Sequence, residues 1–220
     1  MLQRQIEELK ARLTVYARFV EEMIEQSVKG IVEVRPQVLG DTIDSREKKV
    51  NETELELEEE CTALIAQHQP RARELRTVLM VLGMTNDLER MGDHAVNIAE
   101  AGLALLRRAG ARPPEEVPRL ARETIRMVDQ AIQAFVSEDV ALARNVCVND
   151  SVADDLATSI LKNLVSDMAR DSSTIEWSLS ILKIAANLER IADLSTNVCE
   201  DVIYLAEGRV IKHHKEEEAR

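Results

Sequence analysis

An all-α fold of two tandem antiparallel three-helix bundles is predicted by three features of this 220-residue sequence. Turn formers are scarce, because 7 Gly and 5 Pro cannot supply the bends of a many-stranded β protein. Apolar residues recur at helical spacing over long stretches. The segment Leu88-Glu89-Arg90-Met91-Gly92-Asp93, followed by Asn97 and Glu100, returns as Leu188-Glu189-Arg190-Ile191-Ala192-Asp193, followed by Asn197 and Glu200, at a constant offset of 100. That is the mark of an internal duplication.

Each half divides into three helical stretches. In the first they are expected over 2–34, 41–67 and 71–108, with breaks at Gly30 to Gly40 around Pro36 and again at Pro70. In the second they are expected over 118–137, 139–170 and 173–207, with Asp139 and Asp171-Ser172-Ser173 as capping punctuation. Gly110-Ala111-Arg112-Pro113-Pro114 forbids a continuing helix and marks the boundary. The expected organisation is a first bundle over 1–109, a linker over 110–117, a second bundle over 118–208 and a charged tail over 209–220 that carries His213 and His214. On the last helix Ile184, Leu188, Ile191, Ser195, Val198, Val202 and Leu205 alternate spacings of four and three, drawing a stripe that must be buried. Leu88, Met91, Ala95 and Ile98 are its counterpart in the first half. A looser repeat sets LGDTIDS near Asp41 against VNDSVADDL near Asp150.

Composition excludes several functions. With 40 Asp+Glu against 28 Lys+Arg the net charge is -12, which argues against nucleic-acid binding, and 2% aromatic residues leave no base-stacking platform. The longest apolar run, Val78 to Leu82, is far short of the roughly 20 residues that cross a bilayer. The start, MLQRQIEELKARL, interleaves charges at helical spacing, unlike a signal peptide. Cys61, Cys147 and Cys199 are too dispersed for a disulfide framework or a metal knuckle, so a reduced, cytoplasmic protein is expected. No phosphate-cradling Gly-rich loop and no Gly-x-Ser-x-Gly turn is present, and no enzymatic activity is expected.

At 3.6 residues per turn Glu189, Asp193, Asn197 and Glu200 form a line roughly opposite the apolar stripe, as do Glu89, Asp93, Asn97 and Glu100. A charged outer face is ordinary for a bundle helix. Like charges at i and i+4, however, cost an isolated helix about 0.2–0.5 kcal/mol, and basic residues usually offset them. Neither Glu89 nor Glu189 has a basic residue three or four places away, whereas Asp93 and Asp193 each have one, Arg90 and Arg190. Folding each hairpin with equal rise brings Asp44 near Asp93 and Asp41 near Asn97 in the first half. In the second it brings Asp150 near Asp193 and Asp154 near Glu189. Four to six oxygens could then converge per bundle, which favours Mg, Ca, Mn or Fe over a thiolate zinc site. A ferritin-like oxidase fits poorly, since the residue three before His94 is Met91 and three before His68 is Ile65.

These motifs, LERMGDHAVNIAE, ANLERIADLSTNVCEDVIYLAEG, AQHQPRARELR and AIQAFVSEDVALARNVCVND, together resemble the PhoU family of bacterial phosphate-signalling regulators over nearly the whole chain. The resemblance implies two tandem three-helix bundles whose E/D-x-x-x-D motifs bind metal clusters (Fe, Mn, Mg, Ca or Zn). The motif is complete at Glu89 with Asp93, Glu189 with Asp193 and Asp150 with Asp154. It departs at Gly40, where the family usually has an acid, leaving Asp41 and Asp44. The resemblance further implies a negative regulator that contacts the ATP-binding subunit of the phosphate ABC transporter and a phosphate-sensing histidine kinase. It would meet the membrane only through them, and it often forms a homodimer. The alternative is a metal-storing or metal-dependent phosphate-handling protein with no adaptor role.

Overall fold

The computed structural model describes residues 1–108 and 110–207; the expected tail, with His213 and His214, lies outside the described residues. The described chain is all helical. α1 runs Leu2–Val32, α2 Pro36–Asp41, α3 Glu47–His68, α4 Arg73–Leu106, α5 Glu116–Ser137, α6 Val140–Arg170 and α7 Ile175–Glu207. A π-helical turn, Thr42–Arg46, joins α2 to α3 as one rod, and a 3-10 turn, Ser172–Thr174, precedes α7. The two antiparallel three-helix bundles are α1, α2–α3 and α4, then α5, α6 and α7.

The helices end where local chemistry requires. Gln69 turns left-handed after α3, its N–H on the Ile65 carbonyl. Glu138 does the same after α5, and the Asp139 carboxylate then accepts from the Leu142 N–H at 3.0 Å to start α6. Asp171 caps the turn before α7 by accepting from Ser173 N–H at 2.9 Å. One expected break is corrected. Pro36 does not interrupt the chain up to Gly40 but opens α2, its fixed φ and missing N–H suiting the first turn. Gly40 is helical, and the distortion falls after it, in the π turn.

A continuous apolar core runs through both bundles. The α7 stripe of Ile184, Leu188, Ile191, Ser195, Val198, Val202 and Leu205 is buried along its whole length, as are Leu88, Met91, Ala95 and Ile98 on α4. α4 and α7 pack antiparallel at the centre of the molecule, α1 packs on α5, and α3 and α6 are the outer helices. Trp177 closes one end, its indole N–H donating to the Arg112 carbonyl in the linker at 3.1 Å.

Candidate metal centres

Burial fixes the rotation of the outer helices. On α6 the buried residues are Ala143, Val146, Asp150, Ala153, Ile160 and Leu164; on α3 they are Val50, Leu57, Cys61 and Leu64. Val50, Leu57 and Cys61 match Ala153, Ile160 and Leu164, so the counterparts of Asp150 and Asp154 are Glu47 and Asn51. The register set by LGDTIDS and VNDSVADDL is corrected accordingly. Val50 lies against Gly92, with Cγ1 3.0 Å from where a glycine-replacing Cβ would stand. The level of Asp93 therefore falls at the start of α3, more than a turn from Asp44.

In the second bundle Asp150 and Asp154 of α6 and Asp193 of α7 each present an oxygen such that the three lie within 4.8 Å of one another. Asp150 is 9% exposed and Asp154 is exposed. Arg190 donates to Asp193 at 3.3 Å. Glu189 is half-buried beside them, and desolvation, then the charges of Asp193 and Asp154, push its carboxyl above the usual range, with Arg190 pulling the other way. Ligand oxygens 2.0–2.6 Å from one hard cation lie at most about 5 Å apart, so this oxygen-only trio suits one shared ion or the edge of a cluster.

The first bundle is built differently. Asp41 is exposed and accepts from Arg46 at 3.3 Å, in a group that includes Glu22; Asp44 is exposed on the π turn. The α3 carboxylate whose charge acts on Glu89 and Asp93 is Glu54, which composition and spacing did not single out. Glu89 is raised by desolvation, then by Asp93 and Glu54; Glu54 is raised by desolvation, then by Glu58 and Asp93. Tyr16 on α1 is 2% exposed, its hydroxyl makes no hydrogen bond, and burial followed by Glu54, Glu89 and Asp93 raises it. The signal for Glu54 was present: it lies four residues after Val50 and three before Leu57, hence along the edge of the buried α3 face.

The asparagines leave the stripes. Asn197 faces Asp87 across the α4–α7 groove, and burial raises the Asp87 carboxyl against the pull of Arg90 and of the Asn197 amide. Asn97 and Glu100 border a groove between α4 and α7 with Lys183 and Asn187. Glu200 borders a second groove of about 700 Å³ with Asp87, Arg90, Asp150, Arg190 and Asp193. His94 sits at the α4–α7 contact, where its Nδ1 donates to Asn187 Oδ1 at 2.8 Å, a partner that sets the tautomer.

A duplicated helical unit with acidic faces on paired helices defines a class of tandem-bundle protein that presents carboxylates from a rigid core. The PhoU domain model matches residues 13–102 and 117–202, and the chain belongs to the PhoU family. It is 32% identical over 189 residues to the phosphate-specific transport system accessory protein PhoU homolog of Deinococcus radiodurans, covering 86% of this chain and 88% of that one. It is 31% identical to the corresponding homolog of Aquifex aeolicus, over 96% and 95% of the two chains. The crystal structure of PhoU from Pseudomonas aeruginosa superposes with a TM-score of 0.91 at 28% identity, over 95% of this chain and all of that one. The phosphate transport system regulatory protein PhoU from Streptococcus pneumoniae shares the fold, with a TM-score of 0.90 at 23% identity over 97% of this chain.

Proposed function

We propose that this chain is a cytoplasmic, non-catalytic accessory protein of the phosphate-specific transport system that restrains phosphate uptake and phosphate-starvation signalling. The observation that carries this reading is the family match through both halves, joined to relatives described as accessory proteins of that transport system. Its proposed partners are the ATP-binding subunit of the phosphate ABC transporter and the phosphate-sensing histidine kinase. Its net charge of -12 favours fast encounter with basic partner surfaces. No helix among the described residues is long and apolar enough to cross a membrane, in keeping with attachment through partners alone.

Asp150, Asp154, Asp193 and Glu189 would hold metal in the second bundle, and Glu54, Glu89 and Asp93 in the first. The donors are all oxygens, which suits Fe, Mn, Mg or Ca ahead of Zn. When bound, such an ion supplies positive charge that offsets like-charge repulsion and offers open positions to an anionic ligand. The chain's own contribution is to hold carboxylates from two helices at fixed spacing on a rigid core.

Deletion of the gene tests the regulatory role. Alkaline phosphatase production in phosphate-rich medium is expected to rise, and unchanged repression would refute the role. Elemental analysis of protein purified without chelator tests the ions separately. Metal content at useful stoichiometry with no derepression on deletion would favour metal storage over an adaptor.

A further inference from the structure

We propose that Cys147 and Cys199 are an oxidant-reactive dithiol, a modification site for hydroperoxide that closes to a reversible disulfide between α6 and α7. Cys147 of α6 turns its Sγ onto α7, 4.0 Å from the carbonyl oxygen of Thr196, which stands one turn before Cys199 on that helix, and each thiol bears on the titration of the other. Cys199 is fully buried and Cys147 is partly exposed, so an oxidant reaches the pair through Cys147. The matching positions of the first bundle, Asp44 and Ala99, carry no thiol, so the duplication did not build this pair for packing in both halves. Cys61 supplies an internal contrast: it is fully buried in the first bundle, away from both other cysteines in the fold.

The chemistry balances with hydrogen peroxide as the co-reactant. The Cys147 sulfur attacks one peroxide oxygen, the O–O bond breaks, and the leaving oxygen departs as water after taking a proton, which leaves a sulfenic acid at Cys147. The Cys199 sulfur then attacks the Cys147 sulfur, the S–OH bond breaks, and a second water leaves with the Cys199 proton. Two thiols lose two electrons and two hydrogens, and one peroxide becomes two waters. The new bond joins α6 to α7 one turn from Asp150, on the edge where the carboxylates of those helices face one another. The reaction does not depend on any bound metal.

The full-length chain, stripped with EDTA, is treated with hydrogen peroxide and its thiols are counted under denaturing conditions. Of the three free thiols, two are expected to disappear, with Cys147 and Cys199 recovered in one linked peptide and both restored by a dithiol reductant. In Cys199→Ser, Cys147 is expected to stop at a sulfenic acid that dimedone traps. In Cys147→Ser, a change at a partly exposed position, Cys199 is expected to stay reduced. Survival of all three thiols in the wild type, a linked peptide containing Cys61, or Cys147 passing to sulfinic acid with Cys199 still free would overturn the proposal.

Discussion

Arg90 donates to Asp87 across 3.3 Å, one turn back along α4, and so turns away from Asp93. Its counterpart Arg190 turns forward instead, onto Asp193. The two acidic faces are therefore compensated unequally. In the first bundle Glu54, Glu89 and Asp93 bear on one another, and the pull of Arg90 on Glu89 is the smallest of the influences there.

This inequality has a pH signature in metal-free protein. Glu54 and Glu89 both titrate above their ordinary range, chiefly through desolvation and then through neighbouring carboxylates. A carboxyl raised in the folded state contributes stability that is whole below its unfolded pKa, about 4.3, and is lost as pH rises through the folded value. Asp129 and Glu138, lowered by Arg18 and Lys10, act in the opposite sense, so the slope of the wild type alone does not isolate the effect. The double substitution Glu54→Gln with Glu89→Gln isolates it. In EDTA the variant is expected to match the wild type below about pH 4 and exceed it at neutral pH, as read from urea unfolding midpoints. A variant no more stable than the wild type at neutral pH would show that the repulsion is relieved by solvent.

A second test asks whether a cation reverses the sign at the other site. Asp154 is exposed and shares its group with Asp150 and Asp193. Without divalent cations, Asp154→Asn removes repulsion and is expected to change stability by less than about 0.5 kcal/mol, in the stabilising direction. With Mn or Mg in excess, the wild type gains by linkage and the variant gains less, so their order inverts. Melting curves with and without EDTA decide it, and an order that never changes counts against a site there.

The buried half of the fold was legible because it is periodic. Spacings of three and four placed every residue of the α7 stripe inside, and the duplicated segment placed its α4 counterpart. Register between helices was not legible in the same way. Equal rise about Pro70 ignores how far the 69–72 turn carries the chain, and the actual level is set by Val50 settling against Gly92. That contact displaced Asp41 and Asp44 from the first acidic face and brought Glu54 to it. Pro36 misled for a related reason: a proline breaks a helix interior but starts a first turn, and the residue types around it do not distinguish the two.

Glu138 links the two halves and has an electrostatic prediction of its own. It stands in the left-handed turn after α5, accepts from Lys10 of α1 at 2.9 Å and from Arg73 of α4 at 2.7 Å, and is held low chiefly by Lys10. Such a group contributes stability above its unfolded pKa that is lost as pH falls through the folded value. Glu138→Gln keeps the shape and removes the charge. At neutral pH it is expected to cost about 0.2–1 kcal/mol, since the pairs are partly exposed, and the deficit is expected to shrink in acid and in high salt. A deficit that persists unchanged in acid would assign the effect to packing.

Glycine substitutions separate close packing from helix propensity. Gly102 on α4 lies under α1 and α2: a Cβ there would meet Ile31 Cγ1 at 2.5 Å, Ile31 Cδ1 at 2.8 Å and Leu39 Cδ1 at 3.2 Å. Ile31 and Leu39 are both buried, and a β-branched side chain has few rotamers to yield with. Gly102→Ala gains about 1 kcal/mol of helix propensity but forces overpacking that costs about 1–3 kcal/mol. Its net effect is expected to be a loss, with the α1–α4 spacing widened. A Cβ added at Gly40 in α2 would meet nothing within 4 Å, and the backbone there has an ordinary helical φ. Gly40→Ala is therefore expected to raise stability by up to about 1 kcal/mol. Opposite shifts in the urea midpoint for the two variants would establish that α4 approaches α1 through Gly102, whereas a stabilised Gly102→Ala would mean that the helices separate at no cost.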